Sequence, residues 1–387
     1  MRSRTCFLTE PAPRAALALA LSASLLFPSA RLHAAAAPEL PILVPITGPL
    51  ALEGTSQEHG ALLALKEAPP GVELKGAVAD TDTTPEVAVN ALERAATMGR
   101  PIAAVASIFG PQILAMLPLA ERYKLPLITI SGTDKVTALG NPYVFRFFPA
   151  DSLVKLAQAR YAIEVLGKRR PALIYQTTAY GQSGEAALAP ALKKLGAPLV
   201  FEEGIDLTVK DMLPVLTRAK AAAPDVLLLQ LHAGPTALLV SEAARMGLGL
   251  PIVAGSAMHQ PSTAALVEPK ALKGVCAETG SSPVSAETPA IAAWLARYRA
   301  AFGSDPDAYA LAQYDGVRMV EAAIAEGART KAELRDYLAS KSYKGLATTY
   351  RSDGKGNMAH AAEIVCYDGK SRIPKVVRHY DGLEATP

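Results

Sequence analysis

Short apolar runs rich in Val, Ile and Leu alternate along the chain with longer Ala-rich stretches whose apolar positions recur at helical period. A strand that is apolar at consecutive positions is buried on both faces, so this alternation predicts parallel sheets covered by helices on both sides. A first series of strands is expected at Ile42 to Thr47, Val72 to Asp80, Ile102 to Ser107 and Pro126 to Ser131. A second series is expected at Pro171 to Gln176, Leu199 to Ile205, Asp225 to Leu231 and Pro251 to Ser256. Between them the period predicts helices at Glu58 to Glu67, Pro85 to Met98, Gln112 to Tyr123, Gly184 to Leu195, Met212 to Ala222 and Thr236 to Met246. The two series share their spacing without repeating a sequence, which points to two wound α/β domains and not to a repeat array.

The segment Tyr143 to Asp151, with Arg146-Phe147-Phe148-Pro149, separates the series and reads as a crossover between domains. A strand at Gly274 to Thr279 follows the second series and leads into a polar stretch, Gly280 to Pro289. Helices resume at Ala290 to Phe302, Ala310 to Glu326 and Lys331 to Ser340. Strands return at Ala347 to Arg351, Ala362 to Tyr367 and Val376 to Tyr380, with Asp353-Gly354 and Asp368-Gly369 as turn signals. Helices arriving this late can cap either domain; if they return to the first, the chain crosses between domains several times and makes a hinge of several strands.

The N-terminus changes the picture of where the chain works. A basic start, an apolar stretch from Ala15 to Phe27 and the run Ala34-Ala35-Ala36 read as a secretory signal peptide cut after Ala36. Cys6 precedes the apolar stretch, so the lipoprotein arrangement is absent. A soluble periplasmic protein is expected. Removing residues 1–36 takes away four arginines and one glutamate, so the chain's 39 basic and 36 acidic residues become 35 of each. Without a basic surplus or a basic run interleaved with aromatics, nucleic-acid binding loses its electrostatic support. Cys276 and Cys366 are the cysteines left, and their spacing fits a disulfide or two buried thiols alike. The sequence holds no CxxC, Cys/His cluster or HExxH, so no metal and no cofactor is expected.

Enzyme readings find little footing. Gly247-Leu248-Gly249 lacks the third glycine of a dinucleotide-binding turn and precedes a strand, and Gly181-Gln182-Ser183-Gly184 misses the spacing of a nucleophile elbow. His232 and His259 stand without a paired nucleophile. The chain ends at Pro387 without a membrane helix or output domain, which argues against a self-contained receptor.

A set of motifs in order carries a resemblance. Pro45-Ile46-Thr47-Gly48-Pro49-Leu50 is followed by Gly54 and Gly60, then by Asp80-Thr81-Asp82 with Pro85 and Ala88. Leu117-Pro118-Leu119-Ala120-Glu121, Pro126-Leu127-Ile128, Asn141-Pro142-Tyr143-Val144-Phe145-Arg146, Ala179-Tyr180-Gly181, Pro224-Asp225-Val226 and Tyr314-Asp315-Gly316 complete it. In this the chain resembles the periplasmic type I solute-binding proteins of the leucine/isoleucine/valine type. The resemblance implies two doubly wound parallel-sheet α/β lobes joined by a multi-strand hinge of three crossovers. It places the N-terminal lobe at residues 37–148 plus 281–343 and the C-terminal lobe at 149–280 plus 344–387. It further implies a monomer that closes on a small-molecule ligand and delivers it to an ABC-type permease in the inner membrane. A component that presents its ligand to a separate sensor uses the same cleft and hinge, and is the alternative reading.

Expected ligand contacts follow residue by residue. Gly110, Pro111 and Gln112 open a helix after a strand, where free N–H groups and partial positive charge suit a carboxylate. Ser131, Gly132 and Thr133 match the family segment that grips the ligand's polar head, and Tyr180 matches a Tyr that closes over it. The acid that family members use for a ligand ammonium is replaced here by Ser256-Ala257-Met258-His259, and the second aromatic by His232 or Ala233. Glu53, in the first loop, is the candidate cation partner, against the plainer reading of a solvated loop acid. Two ligand classes therefore stand: a small amino acid or amide with Glu53 as cation partner, or an organic acid that lacks the ammonium.

Overall fold

The computed structural model describes residues 37–383, so the segment read as a signal peptide lies outside the described residues. Five parallel strands make a first sheet: β1 (Glu39–Val44), β2 (Lys75–Asp80), β3 (Ala104–Ala106), β4 (Leu127–Thr129) and β5 (Val144–Arg146), in the order β2-β1-β3-β4-β5. A second sheet holds the parallel strands β6 (Pro171–Gln176), β7 (Phe201–Ile205), β8 (Val226–Gln230), β9 (Ile252–Ala254) and β10 (Val275–Thr279). The chain then forms a separate hairpin, β11 (Ser342–Lys344) and β12 (Thr349–Arg351). Finally β13 (Ala362–Cys366) and β14 (Lys375–Tyr380) add antiparallel to the second sheet, giving the order β14-β13-β10-β9-β8-β6-β7.

The apolar runs mark these strands because the central ones are dry on both faces. Every residue of β3, β4, β8 and β10 is buried, and each sheet has an apolar core on either side. The expected α/β architecture of wound parallel sheets is therefore the one observed. Helices Pro85–Met98 and Lys331–Ser340 keep their expected bounds. Two elements depart from expectation. The supposed crossover contributes β5 as an edge strand, and the helix Asp151–Arg160, continued as a wider turn to Val165, follows at once. The first helix begins at Ala51, a turn and more before the expected Glu58, because its opening turn carries Glu53, Gly54, Ser56 and Gln57 where apolar residues would have marked a buried face. That turn is buried nonetheless.

The core assignments trace the path between sheets. Phe148 packs under the first sheet and Leu153 under the second. Ala277 of β10 packs in the second, whereas Trp294, Leu311 and Leu334 of the late helices pack in the first. Tyr350, Met358 and Ala359 also pack in the first, and Ala362 returns to the second. Residues 344–359, expected with the C-terminal lobe, thus sit on the first sheet's core; Asp315 holds them there by accepting from the N–H groups of Leu346 and Ala347 and from the Tyr350 hydroxyl. Close packing of the first helix on Ala308–Ala325 depends on Gly60, where a Cβ would lie 2.1 Å from the Ala310 oxygen.

Strand order decides where a ligand can sit. In each sheet the order reverses direction, between β1 and β3 in the first and between β6 and β8 in the second. At such a point adjacent connections leave to opposite faces and open a crevice beyond the carboxyl ends of the strands. Among the described residues no helix is long and apolar enough to cross a membrane.

Cys276 and Cys366 lie directly opposite each other on β10 and β13 and form a disulfide that closes a loop of 90 residues. The chain-entropy relation for such a loop gives about 4–5 kcal/mol. Replacing both cysteines by alanine is expected to lower the unfolding free energy by up to about that amount, read as a lower urea midpoint with a steeper slope, because the unfolded chain without the cross-link exposes more surface.

Candidate functional site

The residues that leave β1, β3 and β4 meet those that leave β6, β8 and β9 at the two strand-order reversals. They enclose a cavity of about 20 Å³ lined by Glu53, Ile108, Ile130, Gly132, Phe148, Asp151, Tyr180, His232, Ser256 and Tyr309. The space is narrow and is bounded by side chains from both sheets. A larger groove of about 810 Å³ runs alongside, lined by residues including Thr133, Asp134, Tyr175 and Ser183.

Glu53 is 1% exposed in the first turn of a helix, not a solvated loop acid. Its Oε1 accepts from the Ala233 N–H, 2.9 Å away at the start of helix Ala233–Arg245. A carboxylate there satisfies one of the free donors of a helix N-terminus and is favoured by its partial positive charge. The same oxygen lies 3.7 Å from His232 Nδ1. The other oxygen, Oε2, is buried without a partner. Glu53 therefore bridges from the first sheet's side to the second's while keeping one acceptor free.

His232 is held by its backbone N–H, which donates to Gln176 Oε1 at 2.6 Å, and its ring packs between Phe109 and Tyr180 at centroid distances of 5.8 and 4.8 Å. Its Nε2 has no partner. Tyr180 is buried with its hydroxyl unpartnered, and burial raises its pKa well above the ordinary value, so it stays a neutral donor. Ser256 is already engaged: its N–H and hydroxyl donate to Glu278 at 2.8 and 2.6 Å, and Glu278 pairs with the fully buried Lys155.

Of the expected contacts, Glu53, Gly132, Tyr180, His232 and Ser256 line the cavity; Gly110, Pro111, Gln112, Ser131 and Thr133 do not. Gln112 is occupied in structure, its amide donating to the Thr81 and Thr84 carbonyls and accepting from the Thr81 hydroxyl. Gly110 and Pro111 start the expected helix, and a Cβ on Gly110 would lie 2.4 Å from Thr133 Oγ1. Ser131 and Thr133 keep unpartnered buried hydroxyls beside Gly132. Sequence reasoning missed Asp151, Phe148 and Tyr309, which line the cavity, and Lys155 and Glu278 behind it. An acid within the apolar strand Val275–Thr279 was a signal of paired burial; Asp151 gave none, since its helix went unread.

One buried cation shapes the segment 131–133. Arg146 Nη1 donates to the carbonyls of Ser131, Gly132 and Thr133 at 3.3, 2.9 and 2.9 Å; Nη2 reaches Thr137 Oγ1 at 2.9 Å and Nε reaches Asn357 Oδ1 at 3.0 Å. A planar fork makes these bonds together where an ammonium cannot. Asp151 stands next to this segment, its N–H donating to the Gly132 carbonyl at 2.8 Å. Its side chain is 1% exposed with Oδ2 unpartnered, and burial, reinforced by the Asp134 charge and opposed by Lys155, pushes its pKa up to about 7.

A profile of the family described as periplasmic binding protein matches residues 39–371. A Pseudomonas aeruginosa protein named amino acid binding protein is 25% identical over 347 residues, 87% of this chain and 91% of its own length. A Leu/Ile/Val-binding protein homolog of Brucella suis is 24% identical over 324 residues, 81% of this chain and 85% of its own. Among solved structures, a leucine binding protein of Thermotoga maritima superposes with a TM-score of 0.82 at 21% identity, covering 89% of this chain and 99% of that one. A solute binding protein of an ABC transporter from Rhodopseudomonas palustris, solved with 3,4-dihydroxybenzoic acid, gives a TM-score of 0.82 at 20% identity, covering 90% and 98%.

Replacing Arg146 by methionine takes the guanidinium's donors from the Ser131, Gly132 and Thr133 carbonyls and from Asn357, of which Gly132 keeps only the Asp151 N–H, Thr133 the Val136 N–H and Asn357 the Thr137 hydroxyl. We expect a loss of at least about 3 kcal/mol in urea unfolding, and Arg146→Lys to recover only part of it.

Proposed function

The chain belongs to the periplasmic binding protein family, and on that premise we propose that it is the solute receptor of an ABC-type importer whose ligand is a small amino acid. The carrying observation is the charge of the cavity: two carboxylates line it, Glu53 and Asp151, each with an oxygen lacking a partner, and no lysine or arginine does. Arg146 and Lys155, the nearest buried cations, spend their donors on backbone carbonyls and on Glu278. A plain organic acid would add a negative charge to this set, and desolvating it without a cation is costly. An amino acid brings an ammonium for the free carboxylate oxygens and a carboxylate for the hydroxyls of Ser131 and Thr133. The names of the amino-acid-binding relatives support the same class; the dihydroxybenzoate bound by a structural neighbour represents the other.

In this reading the first lobe takes the polar head with Glu53 and the segment Ser131–Thr133, and the second closes with Tyr180, His232 and Ser256. The lobes are residues 37–148 plus 281–359 and 149–280 plus 360–383, the hairpin being carried with the first. Ligand favours closure because only the closed form touches it from both sides. The protein works as a monomer in the periplasm after removal of its leader, and an inner-membrane permease receives the closed form. Binding, with no chemistry performed on the solute, is the activity.

Thermal unfolding against glycine, L-alanine, L-valine, L-leucine, benzoate and 4-hydroxybenzoate tests the ligand class. Ligand at a hundred times its Kd stabilises the native state by about 2.7 kcal/mol, which the melting temperature reports. Shifts are expected with amino acids; shifts with the benzoates alone overturn the reading. Glu53→Gln is expected to weaken amino-acid binding at least about tenfold, since it exchanges an ionic for a neutral acceptor. Small-angle scattering of the mature chain is expected to show compaction at saturating amino acid, and an unchanged radius of gyration contradicts ligand-favoured closure.

A further inference from the structure

We propose that His259 is a positioning residue for solute binding: a neutral imidazole that ties the second lobe's edge of the cavity to the first lobe's, and that must stay uncharged for the two to hold a solute together. The inference rests on the lobes and their closure as drawn above, and not on which solute is bound. His259 is 1% exposed and does not itself line the cavity. Its Nδ1 donates to the Ser256 carbonyl, at the other end of the short turn Ser256–His259. Its Nε2 accepts from the Ala308 N–H at 2.8 Å, where helix Ala308–Ala325 begins. Its ring meets Tyr309 edge-on, 5.2 Å between centroids. Ser256 and Tyr309 both line the cavity, one from each lobe. A single side chain therefore sets where these two cavity residues stand relative to each other.

The arrangement admits one protonation state. The Ala308 N–H is among the donors that a helix start leaves free, and Nε2 takes it with a lone pair. A proton on Nε2 removes that lone pair, sets N–H against N–H, and puts a positive charge at the positive end of the helix. The charged groups facing the ring are Asp307, which caps that helix, and Glu278 of β10. Both favour an imidazolium, but both are already met by donors: Asp307 by Ser56, Gln260 and the Ala310 N–H, Glu278 by Lys155 and Ser256. Helix Pro261–Ala265 brings no titratable group to the turn, and Glu242 and Arg245 of helix Ala233–Arg245 are spent on each other and on the Met212 N–H. Tyr309 and Tyr367 are kept neutral by burial. Burial likewise outweighs the two acids at His259 and holds its pKa below the ordinary value.

The sign follows. With the lobes together His259 is neutral; as they part it meets water and takes a proton near its ordinary pKa of about 6.5. Above that pH closure moves no proton. Below it closure must expel one, so affinity falls as pH falls, by up to about tenfold from pH 7.5 to 5.5. Calorimetric titration at these two pH values compares the mature chain with His259→Gln, whose amide oxygen can take the Ala308 N–H but does not titrate. The probe is whichever of glycine, L-alanine, L-valine, L-leucine, benzoate and 4-hydroxybenzoate shifts the melting temperature most. Acids lining the cavity titrate in both proteins alike, so the difference between them belongs to His259. The fall in affinity is expected to be about three- to tenfold larger in the unsubstituted protein. His259→Phe, which keeps a ring and loses both bonds, is expected to bind at least about tenfold more weakly at pH 7.5. Long-range proton–nitrogen NMR correlation of the ring, assigned through its own backbone, is expected to show a neutral imidazole carrying its proton on Nδ1 in the solute-bound chain at both pH values. Equal falls in the two proteins, or a bound-state ring protonated on Nε2, overturns the proposal and leaves the amino-acid reading standing. Binding of a benzoate alone overturns the amino-acid reading and leaves this test in force. Where none of the six binds, the ring of the free chain decides: a proton on Nδ1 supports the contact, and one on Nε2 overturns it.

Discussion

A carboxylate taken out of water must lose its charge or find donors, and the interface between the two sheets is arranged around that constraint. Glu53 finds the N-terminus of helix Ala233–Arg245, Glu278 finds Lys155 and Ser256, and Asp307 accepts from Ser56, from Gln260 and from the Ala310 N–H. Asp151 finds none sufficient, and its carboxyl is raised accordingly. Three of these four acids are thus settled by the protein itself. The fourth, together with the spare oxygen of Glu53, is where the chain is left short of positive charge.

The same bonds connect the two sides. Glu53 joins the first helix to Ala233, the Asp134 N–H donates to Ser183 Oγ at 3.0 Å, and the Ala308 N–H donates to His259 Nε2 at 2.8 Å. Because Nε2 accepts there, the His259 proton is on Nδ1, which donates to the Ser256 carbonyl. Each such bond is worth about 1 kcal/mol net, and more where a charge takes part. A few of them can hold the sides together without locking them, which suits a receptor that must both close on a solute and let it go.

What was legible in the sequence and what was not follows the same physics. Strands buried on both faces announce themselves as apolar runs, which is why β1, β6 and β8 could be read to within a few residues. The opening turn of the first helix could not, because its buried face is polar: Glu53 and Gln57 are inside through hydrogen bonds made to distant residues, Ala233 and Ala106. Gln112 illustrates the converse. At a helix start after a strand it looked free for a ligand, and only the fold shows its amide spent on the loop at Thr81. The pairing of Cys276 with Cys366 likewise needed the register of β10 against β13, which spacing does not encode.

Asp151 shows where a motif-based reading stops. Its neighbours Arg146 to Pro149 suggested a link between domains, and a link is where an acid is ordinarily solvated. The strand Val144–Arg146 instead inserts Arg146 beneath the segment Ser131–Thr133, and Asp151 bonds through its backbone to the Gly132 carbonyl that Arg146 also holds. One oxygen is thus shared between the buried guanidinium and the first turn of the second domain's helix. The geometry of the polar segment and the position of the unsatisfied carboxyl are fixed by the same contact. A change that loosens Arg146 must therefore act on both the hydroxyls beside the cavity and the acid within it, so fold stability and ligand selectivity are coupled here through a single carbonyl.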